Sequence, residues 1–196
     1  MSDWHTFSLM TTTDTSVREQ IVETACRLFY SQGYNLTGIN QIIEEAGVAK
    51  ASLYYHFPSK EDLCVEYLKR RYDIWSAMLA KYLTGIEDPK KSLIRVFECR
   101  SQYLADTNYG GCSYIRIISE MPQRGEKINR QVILQKEKQR QLFIDLVKRI
   151  KEVTHSSIND LANTIFLLFD GATVQCQVYQ ELWPMKNAMK ALKGLL

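Results

Sequence analysis

The sequence predicts an all-α protein, a small three-helix unit at the amino end followed by a larger helical bundle. Two observations carry this reading. Nine glycines, four prolines and no useful stretch of alternating apolar and polar residues in 196 positions argue against a sheet protein. Apolar side chains recur instead at helical spacing between capping and breaking residues. The composition, 45% hydrophobic and 24% charged, is that of a globular chain long enough for one large or two small domains.

The elements follow in order. Ser16 with Glu19 three residues on reads as a capping box, and Ile21, Ala25, Leu28 and Phe29 recur at helical spacing until Gly33. Thr37 is the expected cap of a short second helix with Ile39, Ile42, Ile43 and Ala46 inside, broken at Gly47. A third helix from Ala49 to about His56 must stop before Pro58, because proline disfavours helical geometry in the residue preceding it. Ser59 caps a fourth, with Glu61 and Asp62 in its positive first turn, and no breaker follows until Gly85. At 1.5 Å per residue that rod spans nearly 40 Å, on the order of a small domain. Asp88-Pro89 opens a helix to about Asp106, and Asn108 to Gly111 is a turn. Cys112 to Met121 is a short helix ended by Pro122, Glu126 to Lys151 a long one, and Ser157 with Asp160 opens another to about Leu182. Pro184 precedes a last short helix. The expected division is a mobile leader over 1–15, a head over 16–58 and a helical body over 59–196, with Met10 an alternative start.

Several classes are excluded or disfavoured. No apolar run approaches the roughly 20 residues a membrane-crossing helix needs, and the amino end lacks an export pattern, so a cytoplasmic protein with no membrane partner is expected. A net charge of +3 decides nothing about nucleic acid. Cys26, Cys64, Cys99, Cys112 and Cys176 form no C-x-x-C pair and read as reduced, mostly buried thiols. His5, His56 and His155 lack partners at metal-ligand spacing, so neither metal nor cofactor is expected. Nucleophile-elbow, zinc-protease, dinucleotide and phosphate-loop patterns are missing, and an isolated Asp170 or Glu120 in a helix is not a catalytic constellation, so no enzyme is expected.

The first three helices carry the functional signal. Two brief amphipathic helices meet at Ala46-Gly47-Val48, where glycine suits the left-handed backbone of a tight helix-helix turn, a helix-turn-helix arrangement. On the third helix Leu53 and Phe57 point inward; Ala51, Ser52 and Tyr55 face away, with Tyr54 and His56 on the flanks and Lys50 in the first turn. Small, hydroxyl, aromatic and cationic side chains make a poor core and a good groove-reading surface.

The run GYNLTGINQIIEEAGVAKASLYYHFPSKEDL, Gly33 to Leu63, resembles the DNA-binding signature of TetR-type (TetR/AcrR) transcriptional regulators. The shared features are the Gly-Tyr, the capping Thr, the Ile-rich second helix, the Gly-Val turn, the Leu-Tyr-x-His-Phe helix and the closing Lys-Glu-x-Leu. The resemblance implies that Lys50, Ala51, Ser52 and Tyr54 approach base edges, with Asn40 as a helper, and that Thr37, Tyr55, His56 and Lys60 approach phosphates. Ala49 stands where a capping Ser or Thr is common and Ala51 where Gly is frequent, departures that bear on which bases are read. Over residues 16 to 60 the cations Arg18, Arg27, Lys50 and Lys60 balance Glu19, Glu23, Glu44 and Glu45, so affinity must come from local placement and from two copies acting together.

The resemblance also implies a homodimer, a double-stranded DNA operator and a small-molecule effector that releases the dimer from it. The small residues of Phe169-Asp170-Gly171-Ala172-Thr173 allow close helix approach, and with Leu142 and Leu146 of the preceding helix they form the expected dimer interface, Gly171 and Ala172 at its centre. Tyr103, Cys112, Tyr114, Ile117, Phe166, Asp170 and Tyr179 are the candidate pocket residues, a mixed, mostly apolar lining that implies an apolar or aromatic effector. Repression is the default sign. The competing readings are a thiol- or metal-responsive regulator using Cys112 or Cys176, and a small helical enzyme.

Overall fold

The structure is a computed structural model that describes residues 16–121, 125–154 and 157–196. The expected leader, Met10, His5, Pro122 and His155 lie outside the described residues. The described chain contains helices and no strand: α1 (Val17–Ser31), α2 (Ile39–Ala46), α3 (Lys50–His56), α4 (Lys60–Leu83), α5 (Pro89–Asp106), α6 (Ser113–Glu120), α7 (Glu126–Lys148), α8 (Ile158–Tyr179) and α9 (Trp183–Leu195).

Most of the caps are local chemistry. The Ser16 hydroxyl oxygen accepts from the Glu19 N–H at 3.3 Å, Ser59 Oγ accepts from the Asp62 N–H at 3.1 Å, and the Asp88 carboxylate accepts from Lys90 and Lys91 with Pro89 in the first turn. Two expected caps are corrected. Thr37 does not cap α2; Gly38 does, without a side chain, while the Thr37 hydroxyl is turned inward to donate to the Gly33 carbonyl at 2.6 Å. Ser157 precedes α8, but its hydroxyl donates back to the Thr154 carbonyl at 3.0 Å instead of serving the helix. The hydroxyl in each case bonds a nearby carbonyl, the local competition that makes Ser and Thr ambiguous cap signals. α7 also ends at Lys148, ahead of the expected Lys151.

Packing divides the chain into two compact units, one drawn from 16–73 with 113–134 and the other from 74–112 with 135–196. The division expected after Pro58 therefore falls later, because α4 contributes its first half to the head and α6 returns to join it. In the head, Ile21, Val22, Ala25, Leu28 and Phe29 of α1 are buried with Ile42 of α2, Leu53 of α3, Phe57, and Leu63, Tyr67 and Leu68 of α4. The Phe29 ring lies 5.5 Å from Tyr34 and 5.7 Å from Tyr67, which ties the α1–α2 connection and α4 to one centre. Each such large side chain withdrawn from water contributes about 1.5–3 kcal/mol.

The body has its own core. Phe97 of α5, Phe143 of α7 and Phe169 of α8 meet at ring separations of 5.2 to 6.4 Å, and α9 closes over α8 with Met185, Ala188 and Leu192 buried. Leu146 and Ala172, expected at a dimer interface, are buried inside this unit. Leu142 is half-buried, and Gly171 is exposed with open space above it.

Candidate nucleic-acid interface

The head is built around a left-handed residue. Gly47 takes φ 64° and ψ 32°, and its N–H and that of Val48 close α2 by bonding the Glu44 and Ile43 carbonyls at 3.1 and 3.2 Å. A side chain at this backbone geometry is strained, so glycine sets the turn that crosses α3 over α1 and α2. α3 is one apolar line deep: Leu53 is fully buried and Phe57 nearly so, and everything else on the helix is wholly or partly exposed. Lys50, Ala51, Tyr54 and Tyr55 face out, with Tyr54 43% and Tyr55 84% accessible, and Ser52 and His56 are half-buried at the edges. Tyr55 and His56 rings meet edge to face at 5.0 Å. Asn40 is exposed on α2. Ala49, the residue before α3, supplies no side-chain cap.

Thr37 does not belong to this surface. It is 0% exposed and its oxygen is already used by Gly33 and by Gln32 Nε2 at 3.2 Å, so it shapes the turn before α2 rather than meeting a phosphate. Lys60, at the start of α4, rests over the Tyr34 ring with Nζ 4.2 Å from its centre. Burial pulls its ammonium below the ordinary lysine range and the nearby Glu120 carboxylate partly restores it. Of the other head cations, Arg27 pairs with Glu45 at 2.6 Å and Arg18 with Glu66 at 3.0 Å. Arg27 and Gln41 hold the Glu45 carboxyl below its usual range. Of the four cations in residues 16–60, Lys50 and Lys60 are thus the two that make no ion pair among the described residues, although the formal balance of that stretch is neutral.

The pattern of apolar residues did not mark the groups that hold the head in place. Glu120, the last residue of α6, accepts from the backbone N–H of Tyr34 at 2.6 Å and of Asn35 at 3.1 Å, and its own carbonyl accepts from the Asn35 side chain. Arg116, one turn earlier, donates to the Tyr30 carbonyl at 2.6 Å and pairs with Glu120 at 3.4 Å. Together they grip the end of α1 and the turn before α2. Glu61 on α4 performs the reciprocal service, accepting from the Lys127 and Ile128 N–H groups at 3.0 and 3.3 Å where α7 begins, beside an Asp62–Lys127 pair of 2.6 Å. These partners lie 65 to 86 residues apart in sequence, and no spacing rule reaches that far.

The seven expected pocket residues do not form one constellation within either unit. Tyr114 and Ile117 are buried in the head; Tyr103, Cys112, Phe166, Asp170 and Tyr179 belong to the body. Asp170 is engaged by Lys136 Nζ at 2.6 and 2.8 Å, and Tyr179 is exposed and packs its ring against Trp183 at 5.0 Å. An open depression of 440 Å³ at the α4–α5 turn is lined by charged residues such as Glu87, Lys91 and Glu98, with none of the seven among its walls.

All five cysteines are buried. Burial pushes the Cys26 thiol up to about 12 and Cys99 to about 11, and moves Cys64 and Cys176 the same way. A thiol is a nucleophile as thiolate, so these are poor sensors. Native protein at pH 8 is expected to react with a disulfide reagent far more slowly than unfolded protein, which exposes all five. The raised values have a stability consequence. The thiols contribute fully below the ordinary thiol value near 9 and lose that contribution as pH rises toward about 12, with Tyr34 and Tyr67, also raised to about 12 by burial, adding to the loss above 10. Denaturation midpoints should fall steadily above pH 9, and less so in Cys26→Ala; a flat midpoint to pH 11 contradicts this. Among the described residues no group of three or more His, Cys, Asp or Glu could hold a metal ion, and no helix is long and apolar enough to cross a membrane.

A three-helix head that buries one side of its third helix and presents the other, polar and aromatic, is a helix-turn-helix module. Residues 21–67 match the model of the tetR family of bacterial regulatory proteins. It is 43% identical over 77 residues to the HTH-type transcriptional regulator LmrA of Bacillus subtilis, a match covering 39% of this chain and 41% of LmrA. The chain thus spans about two fifths of that relative's length. The HTH-type transcriptional repressor NemR of Escherichia coli is 22% identical over 194 residues, covering 94% of this chain and 96% of NemR. The crystal structure of a TetR-family transcriptional regulator from Streptomyces coelicolor superposes with a TM-score of 0.81 at 21% identity, over 91% of this chain and 93% of that one, which shows the fold. The family and these relatives are regulators of transcription rather than enzymes.

Proposed function

We propose that the protein is a ligand-responsive transcriptional regulator of the cytoplasm that binds a pseudo-palindromic duplex operator as a homodimer and is released by a small apolar or aromatic effector. The observation that carries this is the two-sided α3, with Leu53 and Phe57 locked beneath Lys50, Ala51, Ser52, Tyr54 and Tyr55. Ala51 offers an apolar contact to a thymine methyl, Ser52 and Tyr54 offer hydrogen bonds to base edges, and Tyr55, His56 and Lys60 offer donors to phosphates, with Asn40 at the margin. Repression is the expected sign, as for the repressor NemR of Escherichia coli.

A second copy is the partner of α8 and α9 in this reading. Leu167, Gly171, Val174 and Val178 follow a 4-3-4 spacing along α8, and Leu167 and Val178 are 68% and 66% exposed. Trp183, Asn187, Ala191 and Leu195 form an exposed line on α9, the helix that packs on α8. The paired helices for a four-helix bundle are thus α8 and α9, in place of the expected α7 and α8. Dimerisation sets the separation of two α3 helices, and α4, which contributes residues to both units, is the element through which an effector alters it. Moving the population from nearly all competent to nearly all incompetent requires the effector to distinguish the states by about 5 kcal/mol.

The test is selection of bound fragments from random duplex DNA, followed by titration of variants. Lys60→Ala should weaken all sequences alike and flatten the salt dependence by about one unit, whereas Lys50→Ala, Ser52→Ala or Tyr54→Phe should change sequence preference at a cost of about 1–3 kcal/mol. Equal weakening by all four, with unchanged preference, contradicts the assigned roles; no selection of any duplex at low salt contradicts the function.

A further inference from the structure

The selectivity of the reading helix has a source outside α3, an inference that rests on the proposed function. α2 is weakly anchored by its apolar side: Ile42 is its one buried residue, Ile39 and Ile43 are half-buried, and no side chain caps its first turn. A strap of polar side chains supplies the missing hold. Gln41 Oε1 accepts from Gln32 Nε2 at 2.7 Å and Gln41 Nε2 donates back to Gln32 Oε1 at 3.3 Å, a two-way amide pair between α2 and the end of α1. One turn further along α2, the Glu45 carboxylate accepts from Gln41 Nε2 at 2.9 Å through one oxygen and from Arg27 of α1 at 2.6 Å through the other. The same Gln32 nitrogen lies 3.2 Å from Thr37 Oγ1 and 3.4 Å from the Leu36 carbonyl, which ties the turn entering α2 to the strap as well. We propose that Gln32, Gln41 and Glu45 are positioning residues that set how sharply α3 discriminates between operator and unrelated DNA.

Two attachments one turn apart do what a single one cannot. A helix held at one point pivots about it, whereas Gln41 and Glu45, about 6 Å apart along the axis of α2, fix both its tilt and its rotation against α1. That orientation passes to α3 through the turn at Gly47 and Val48, whose N–H groups close onto the Glu44 and Ile43 carbonyls. α3 itself buries only Leu53, with Phe57 at its end, so few apolar contacts of its own correct an error in α2. Contacts to bases and to phosphates respond differently to such an error. A hydrogen bond to a base edge weakens steeply outside about 2.7–3.2 Å and below about 120°, whereas the attraction of a lysine for phosphates falls off gradually with distance and follows any sequence. A loosened strap therefore costs selected binding and spares unselected binding. The chemistry of Glu45 fits this task, because a carboxylate accepts on both oxygens and both are used; glutamine there keeps one acceptor oxygen and turns an NH2 group toward one of the two donors.

The experiment titrates full-length protein against the operator recovered from random duplex DNA and against an unrelated duplex of equal length, with affinities corrected for the active fraction. Gln32→Leu and Gln41→Leu should each lower the ratio of operator to unrelated affinity about tenfold, the scale of one mismatched base pair, while unrelated affinity stays within about twofold. The double variant should fall no further than the worse single one, because both sever the same pair. Glu45→Gln should lower the ratio by less, and as a change at an exposed position it carries the test if a leucine variant does not fold. Repeating the selection with Gln41→Leu should return the same bases less sharply. The proposal is overturned if the ratio is unchanged, whether or not both affinities fall, if the two single losses add, or if Gln41→Leu selects a different sequence, which makes Gln41 a base contact. Variants that keep the parent's ratio remove the strap and leave the regulator standing; a parent protein that selects no duplex removes the regulator reading and the strap with it.

Discussion

The double variant Leu167→Glu, Val178→Glu should run as a monomer in sedimentation equilibrium and lose operator affinity by a hundredfold or more. Both side chains are two-thirds exposed on one line of α8, and Gly171 between them has nothing within 4 Å of where a Cβ would stand. An apolar line with a small residue at its centre admits close approach of another helix, and a carboxylate placed at either end would be stripped of water without a partner. The loss at the operator is indirect. A dimer presents its second α3 at a high effective concentration once the first is docked, and a monomer forfeits that gain without losing any contact of its own. Because both positions lie on the surface of the chain, helicity and single-chain stability should change little. A variant that stays dimeric, or a monomer that binds the operator as tightly as the parent, contradicts the assignment of this face.

Glu120→Ala should loosen the head at the turn before α2 and lower its stability by about 2 kcal/mol, the scale of two hydrogen bonds to a charged group that is partly open to solvent. The carboxylate serves the Tyr34 and Asn35 N–H groups, and with Arg116 on the Tyr30 carbonyl it fixes the path from α1 to α2. Gly33 belongs to the same device: its φ is 93°, and a Cβ there would stand 2.7 Å from Glu120 Oε1, so backbone and carboxylate are matched. Glu120→Gln keeps one acceptor oxygen and should cost less than Glu120→Ala. Amide hydrogen exchange reads the effect directly: Tyr34 and Asn35 should exchange faster in both variants while Leu53 stays protected. Unchanged exchange at those two amides would mean the clamp does not act in solution. Operator affinity should fall with the same ranking, since α2 and α3 are positioned from this turn.

The elements most legible in the sequence are those governed by local rules. Ser16, Ser59 and Asp88-Pro89 open α1, α4 and α5 as their side-chain chemistry requires, and Gly47 closes α2 in the left-handed conformation its position implied. The inward line of Leu53 and Phe57, and so the outward face of α3, followed from a 100° step per residue. Thr37 and Ser157 show the limit of such rules, because a hydroxyl can bond a neighbouring carbonyl as easily as a helix end, and which it chooses depends on what packs around it. Leu146 and Ala172 show a second limit. Apolar and small residues serve a subunit core and a subunit interface equally well, and only the packed unit reveals that both are already covered.

What the chain determined by itself is its helices, their order and the face of α3 turned to the outside, since each depends on neighbours three or four residues away. Only the tertiary structure decided that Glu120 and Arg116 hold the α1–α2 turn, that Glu61 serves the start of α7, and that Arg100 lies among Trp75, Tyr103 and Phe169. Those partners come from distant stretches of chain, and a charge has no period: its role is set by what folding brings within about 3 Å of it, not by its place in a helical repeat.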